Sequence, residues 1–224
     1  MNNLEGSPLL IATNNKGKVK EIHDLLKDTG ITLVTPEEIL LDLDVREDGK
    51  TYAENAVKKA VAFAQASGLI SFADDSGLEV EALDGAPGLY SARYGSTNGE
   101  KLSDAGRRRH LLQNLQDKPR PWTARFHATI AVAIPEPLWR QAAHRLRVEE
   151  RTAGLHIFEG YCEGEIIPEE RGAGGFGYDP IFLLSDLGKT MAELTMDEKN
   201  RLSHRARAVM NARETLALLF SQAE

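Results

Sequence analysis

The stretch LLIATNNKGKVKEIHDLL, residues 9–26, decides the fold class. Leu9 to Thr13 is a short apolar run fit for a buried strand, and Asn14-Asn15-Lys16-Gly17 breaks it with turn-forming residues. Val19, Ile22, Leu25 and Leu26 then recur at helical spacing, and Gly30 is a natural stop. A strand that passes through a polar loop into a helix is the opening unit of an α/β protein.

The same grammar continues outward. Thr51-Tyr52-Ala53-Glu54 reads as a capping box at a helix start, and Gly68 closes that helix. Ala53, Ala56, Val57, Ala60 and Ala64 form its buried stripe, whereas Thr51, Asn55 and Lys59, spaced by four, form a polar one. Leu69 to Ala73, Trp122 to Ile134 and Phe158 to Ile167 read as strands. Pro135 to Leu155 is a basic interval that fits either a hairpin excursion or a short helix, and Ser203 to Phe220 reads as a final helix. Its apolar residues are Ala206, Val209, Met210, Leu216, Leu219 and Phe220. Early crossovers and late antiparallel pairs predict an α/β protein with a mixed sheet.

Composition narrows the function classes. With 42% apolar and 27% charged residues, the chain has the balance of a globular protein rather than a disordered one. A net charge of −7 argues against a basic nucleic-acid-wrapping surface, so Arg107-Arg108-Arg109 is either a local phosphate binder or a solvated helix face. The single cysteine, Cys162, excludes an internal disulfide and reads as packing in a reducing compartment. No secretory leader and no membrane-spanning run are apparent, so a cytoplasmic protein is expected.

Four blocks are equipped for chemistry. Residues 12–22, with Lys16 and Lys18 beside a helix N-terminus, serve an anion or make an ordinary βα turn; the phosphate-loop spacing of nucleotide-binding ATPases is absent. Asp74 and Asp75 close an apolar run; alternation along a strand sends one to a cleft and the other to brace it, and Ser76-Gly77 is expected to turn the chain and expose both. Carboxylates of this kind suit Mg²⁺ with substrate phosphates, or simply an acidic turn. Gly172 to Phe182 combines glycines with Phe176 and Tyr178, fit to stack on a base or to pack a core. Lys199, His204 and Arg205 supply donors for a base carbonyl or a phosphate.

In order along the chain, Thr13-x-Asn15-x-x-Lys18-x-x-Glu21, ADDSGLEVEALDGAPGLYSARY, GFGYDPIF and the Lys199 and SHR of EKNRLSHRA resemble the inosine triphosphate pyrophosphatase family, the HAM1-like non-standard purine nucleoside triphosphate pyrophosphatases. The resemblance runs from Leu9 to about Leu218. It implies an elongated mixed sheet flanked by helices, as a single domain over residues 1–224 with two lobes and a substrate groove between them. It also implies Mg²⁺-dependent hydrolysis of ITP, dITP or XTP to the monophosphate and pyrophosphate by a homodimer that contacts neither nucleic acid nor membrane. Thr13, Asn14, Asn15, Lys16, Gly17 and Lys18 match the phosphate-contacting segment, and Lys59 a phosphate-side lysine. Asp75 matches the catalytic carboxylate and metal neighbour, with Asp74 in support and Ser76 touching substrate. Glu47 resembles the second metal-site acid, with Asp48 as the alternative. Phe176, Gly177, Tyr178 and Asp179 resemble the base-recognition loop, and Lys199, His204 and Arg205 the residues that grip base and phosphate. The alternatives are a Maf-like pyrophosphatase for other modified nucleotides and a non-catalytic nucleotide sensor.

Overall fold

The computed structural model describes residues 4, 6–97, 100–147 and 154–221. Its strands are β1 (Leu9–Ile11), β2 (Leu33–Val34), β3 (Ser71–Val80), β4 (Trp122–Ala133), β5 (Leu155–Ile166), β6 (Phe182–Leu184) and β7 (Lys189–Thr190). They form one sheet in the order β2-β1-β3-β4-β5-β6-β7. β1 is parallel to β2 and β3, whereas β5–β6 and β6–β7 are antiparallel, the mixed sheet expected. The helices are α1 (Lys16–Leu26), α2 (Tyr52–Ser67), α3 (Asp104–Leu115), α4 (Glu136–Arg145), α5 (Met196–Leu202) and α6 (His204–Phe220). The interval left open between hairpin and helix thus contains α4; its residues 148–153 lie outside those described.

The chain resolves into two compact units. The first comprises residues 1–75, 128–160 and 205–224, and the second residues 76–127 and 161–204. Each has its own core. In the first unit, alternation along the strands sends neighbours to opposite faces. Leu9, Ile11, Phe72, Ile130 and Val132 pack with Ile22 of α1, Leu138 of α4 and Val209 and Leu216 of α6. Leu10, Ala12, Ala73, Ala131 and Ala133 pack with Ala56, Ala60, Phe63 and Ala64 of α2. Helices therefore cover both faces, as parallel strands require. In the second unit Leu78, Val80, Leu111, Leu115, Trp122, Phe126, Cys162 and Phe182 form a separate core. Cys162 is buried within it, as packing predicts.

Several local expectations are corrected. Thr51 does cap α2, its hydroxyl accepting from Glu54 N–H at 3.1 Å, but the Glu54 carboxylate accepts from Lys50 N–H instead of closing the box on Thr51. β3 does not end at Ala73, and Ser76-Gly77 does not turn it: the strand runs on to Val80. The last helix, His204–Phe220, is the one expected; a separate short α5 precedes it, and of its apolar residues Met210 is 53% exposed. Pro180-Ile181 lies in a 3-10 turn that precedes the three-residue β6.

Candidate active site

Because β3 continues through them, Asp74 and Asp75 are buried within a strand and not displayed at its end. The alternation argument holds nonetheless, and each carboxylate faces its own set of partners.

The Asp74 carboxylate meets Lys18 Nζ of α1 at 2.7 Å and Arg205 Nη2 of α6 at 3.3 Å. Arg205, itself buried, also pairs with Glu21 of α1. Glu21, Arg205 and Asp74, all buried, thus form with half-buried Lys18 a chain of alternating charge. Burial pushes the Asp74 carboxyl up, but Arg205 and Lys18 overcome it and hold the group well below the usual carboxylate range. It stays ionised.

Asp75 faces α2. Lys59 Nζ stands 3.6 Å from its Oδ1 and 2.7 Å from Glu47 Oε1, and donates to the Asp74 carbonyl at 2.7 Å. The Asn55 side chain, one turn before Lys59, hydrogen-bonds Asp75 and also accepts from Gly49 N–H at 2.8 Å. Burial raises the Asp75 pKa; Lys59 and Lys18 oppose the rise, Glu47 adds to it, and the net shift is upward. Lys59 is itself held cationic: burial disfavours its charge, but Asp75 and Glu47 outweigh burial. A carboxylate with a raised pKa beside one that is pinned ionised is the division of labour expected of a base and its support.

The polar turn before α1 is occupied by helix capping. Asn15 is the N-cap; its Oδ1 accepts from Gly17 N–H at 3.0 Å and Lys18 N–H at 3.2 Å, while the Thr13 hydroxyl accepts from Asn15 N–H. Asn14 and Lys16 are exposed, and Thr13, Gly17 and Lys18 are half-buried. Glu47 and Asp48 are now distinguishable: Glu47 reaches Lys59, whereas Asp48 pairs with Lys58 and Arg46 on the exposed side.

The second unit holds the remaining expected residues, beginning with half-buried Ser76. Asp179 Oδ2 accepts from Phe176 N–H at 3.0 Å and pairs with Lys199 Nζ at 2.7 Å, and that ammonium lies 5.4 Å from the Phe176 ring centre. The glycines here have a steric role. A Cβ on Gly175 would come to 2.0 Å from Asp179 Oδ2, and Gly177 sits at φ +61°. The Tyr178 hydroxyl donates to the Ser91 carbonyl at 3.0 Å, so this aromatic packs in the core and leaves Phe176 as the one on the loop surface. His204 is buried, with its ring stacked on Phe126 at 4.7 Å between centres.

Two residues were not read from the sequence as part of the site. Asn55 carried a signal, since it shares the polar stripe of Thr51 and Lys59. Glu21 lay in the quoted first motif without a role.

The donor set suits a hard divalent cation. Asp75 and Glu47, from different segments, flank one ammonium, the place where a cation is favoured; two carboxylates are what Mg²⁺ takes when phosphate oxygens and water complete its shell. Among the described residues no cluster of three or more acidic, histidine or cysteine side chains is arranged for a metal, so substrate and water would have to supply the rest. No described helix is long and apolar enough to cross a membrane.

Comparison with known proteins places these features in context. The family model described as the Ham1 family matches residues 9–215. The chain is 45% identical over 217 residues to a dITP/XTP pyrophosphatase of Desulforamulus reducens, covering 96% of this chain and 98% of the relative. It is 43% identical to the dITP/XTP pyrophosphatase of Bacillus subtilis, over 89% of this chain and 92% of the relative. Among solved structures it is similar to a HAM1 protein from Coxiella burnetii, with a TM-score of 0.78 at 36% identity, over 94% of this chain and 98% of that one. The Ham1 protein of Staphylococcus aureus gives 0.75 at 36% identity, over 93% and 97%.

Proposed function

Since this chain belongs to the Ham1 family, we propose that it hydrolyses non-standard purine nucleoside triphosphates, ITP, dITP and XTP, to the monophosphate and pyrophosphate, and so removes deaminated purines from the nucleotide pool. The observation that carries the reading is Asp75: a buried carboxylate with a raised pKa, set against Lys59, Asn55 and Glu47, beside an Asp74 whose carboxyl is held well below the usual range.

The mechanism follows from these groups. Attack of water on a phosphorus needs an oriented nucleophile and neutralised phosphate oxygens. Asp75 orients the water and accepts its proton. Asn55 and Lys59 hold the carboxylate in place, and Asp74 with Arg205 and Glu21 fixes Lys18 at the mouth of the loop Thr13 to Lys18, which contacts the polyphosphate. Asp75 and Glu47 would hold Mg²⁺, which when bound neutralises phosphate oxygens. The base is assigned to Phe176, which stacks on it, to Lys199 and His204, and to the loop Gly177 to Asp179 next to Phe176. Hypoxanthine and xanthine offer a carbonyl acceptor at position six where adenine offers a donor, so donors at the site would be left unpaired by ATP. The resemblance supports a homodimer in a cytoplasmic setting, which sedimentation and fractionation would test.

The decisive experiment is product analysis with Mg²⁺ on ITP, XTP, dITP, ATP, GTP and dTTP. Pyrophosphate and monophosphate from ITP, dITP and XTP, with ATP and GTP spared, are expected; orthophosphate and a diphosphate would overturn the reading. Asp75→Asn is expected to fold and to lose on the order of a hundredfold or more in turnover, and near wild-type turnover in that variant would remove Asp75 from its role.

A further inference from the structure

Two of the three clustered arginines of α3, Arg107 and Arg108, are half-buried and paired, while Arg109 is exposed. Arg107 Nη1 donates to the Leu102 carbonyl at 2.8 Å and its Nη2 pairs with Asp104 at 2.5 Å. Arg108, whose side chain is 11% exposed, makes a two-pronged pair with Glu170 at 2.9 and 2.8 Å. Both inner residues of this face then reach one glycine. The second oxygen of Asp104 accepts from Gly177 N–H at 2.6 Å, and Arg108 Nη1 donates to the Gly177 carbonyl at 2.8 Å. Asp104 and Arg108 stand one helical turn apart and share a face. Gly177, the residue after Phe176 and at positive φ, is therefore gripped at both its polar backbone atoms by charged side chains that are themselves anchored, Asp104 by Arg107 and Arg108 by Glu170.

We propose that Asp104 and Arg108 are positioning residues for base selection: they lock the Gly177 peptide groups and thereby set the place and tilt of the Phe176 ring. The inference rests on the reading of Phe176 to Asp179 as the base-recognition loop. Charge-assisted bonds to a backbone amide and carbonyl define two directions at once, and Asp179 with Lys199 defines a third on the other side of Phe176. Losing the α3 grip removes both side-chain bonds to Gly177 and leaves the loop held by Asp179 at Phe176 and by the Tyr178 hydroxyl at Ser91. The base would then be held less exactly while the polyphosphate groups of the first unit stay as they are.

The test is steady-state kinetics of Arg108→Ala, Arg108→Lys and Asp104→Asn with ITP and GTP, alongside inhibition by pyrophosphate as a probe of the polyphosphate site. We expect KM for ITP to rise by about tenfold with kcat within about threefold, and the ITP-over-GTP preference to fall by about tenfold, as for a displaced positioning group. The inhibition constant for pyrophosphate should stay within about twofold. Arg108→Lys should behave like Arg108→Ala, because a lysine cannot grip Glu170 and Gly177 together. Folded variants that discriminate as wild type does would overturn the proposal. So would a parallel loss of ITP turnover, pyrophosphate affinity and melting temperature, which marks a merely structural role. If the wild-type protein itself shows no preference for ITP over GTP, the base-loop reading fails, and this inference with it.

Discussion

Asp74 and Asp75 share a peptide bond and little else. Asp74 is wedged between two cations, so its contribution to stability is present above the ordinary carboxylate pKa of 3.8 and is lost as the pH falls below it toward the depressed folded value. Asp74→Asn should destabilise the protein by about 3–5 kcal/mol in urea titrations at neutral pH, because Arg205 and Lys18 lose their buried partner. The variant should also show a weaker fall in stability on acidification than wild type. Asp75 has the opposite sign. Its folded pKa is raised, so ionising it costs the folded state stability as the pH rises through that value. Asp75→Asn should therefore melt no lower than wild type at pH 7 while losing turnover; a drop of several degrees would contradict this. In the wild type, kcat/KM should decline on the acid side at a pH above the ordinary aspartate value. The carboxylate pair itself was legible in the sequence, and so was the opposition of its side chains. Which of the two is pinned depended on Lys18 and Arg205, 56 and 131 positions away from Asp74, and no local pattern carries that.

At the scale of elements, α2 shows how packing sets the place of chemistry. Its stripe of Ala56, Ala60 and Ala64 meets Ala12, Ala73, Ala131 and Ala133 of the sheet, small against small. That close approach brings Asn55 and Lys59 to Asp75. Ala60→Leu should cost about 1–3 kcal/mol through overpacking and depress turnover as well, since it pushes the neighbouring Lys59 off station; denaturation and kinetics on the same preparation check both. The alanine stripe and the Gly68 stop were readable because helical periodicity is local. The run of β3 past Asp75 was not, because Ser76-Gly77 carries turn chemistry that pairing with neighbouring strands overrides. The role of Arg108 was hidden for a related reason: its partners Glu170 and Gly177 come from a distant segment.

Over the whole molecule, the chain passes between its two units at Asp75–Ser76, His127–Ala128, Gly160–Tyr161 and His204–Arg205. The first unit is thus assembled from three separated segments, and α6, which closes it, comes last. Ala206, Val209, Ala212, Leu216 and Leu219 of α6 are buried in its core. A chain ending at His204 should therefore lose its cooperative thermal transition, and a peptide of residues 205–224 should not form a stable helix alone; a sharp melt of the shortened chain would show that the core needs no α6. The mixed sheet was legible from strand and helix periods, but the places where the chain passes from one unit to the other were not, since adjacent residues such as His204 and Arg205 fall on different sides.

The contrast between a carboxylate set in the middle of a ten-residue strand and a glycine loop held by side-chain bonds bears on how this protein could be redesigned. Strand geometry is shared with every neighbouring strand, so altering residues 74–76 disturbs the sheet as well as the reaction. Gly177 and Phe176 of the loop are tied down by side-chain bonds that single substitutions on α3 or at Asp179 remove. A search for altered base preference is therefore best spent on libraries at positions 104, 108, 176 and 179, with β3 left untouched.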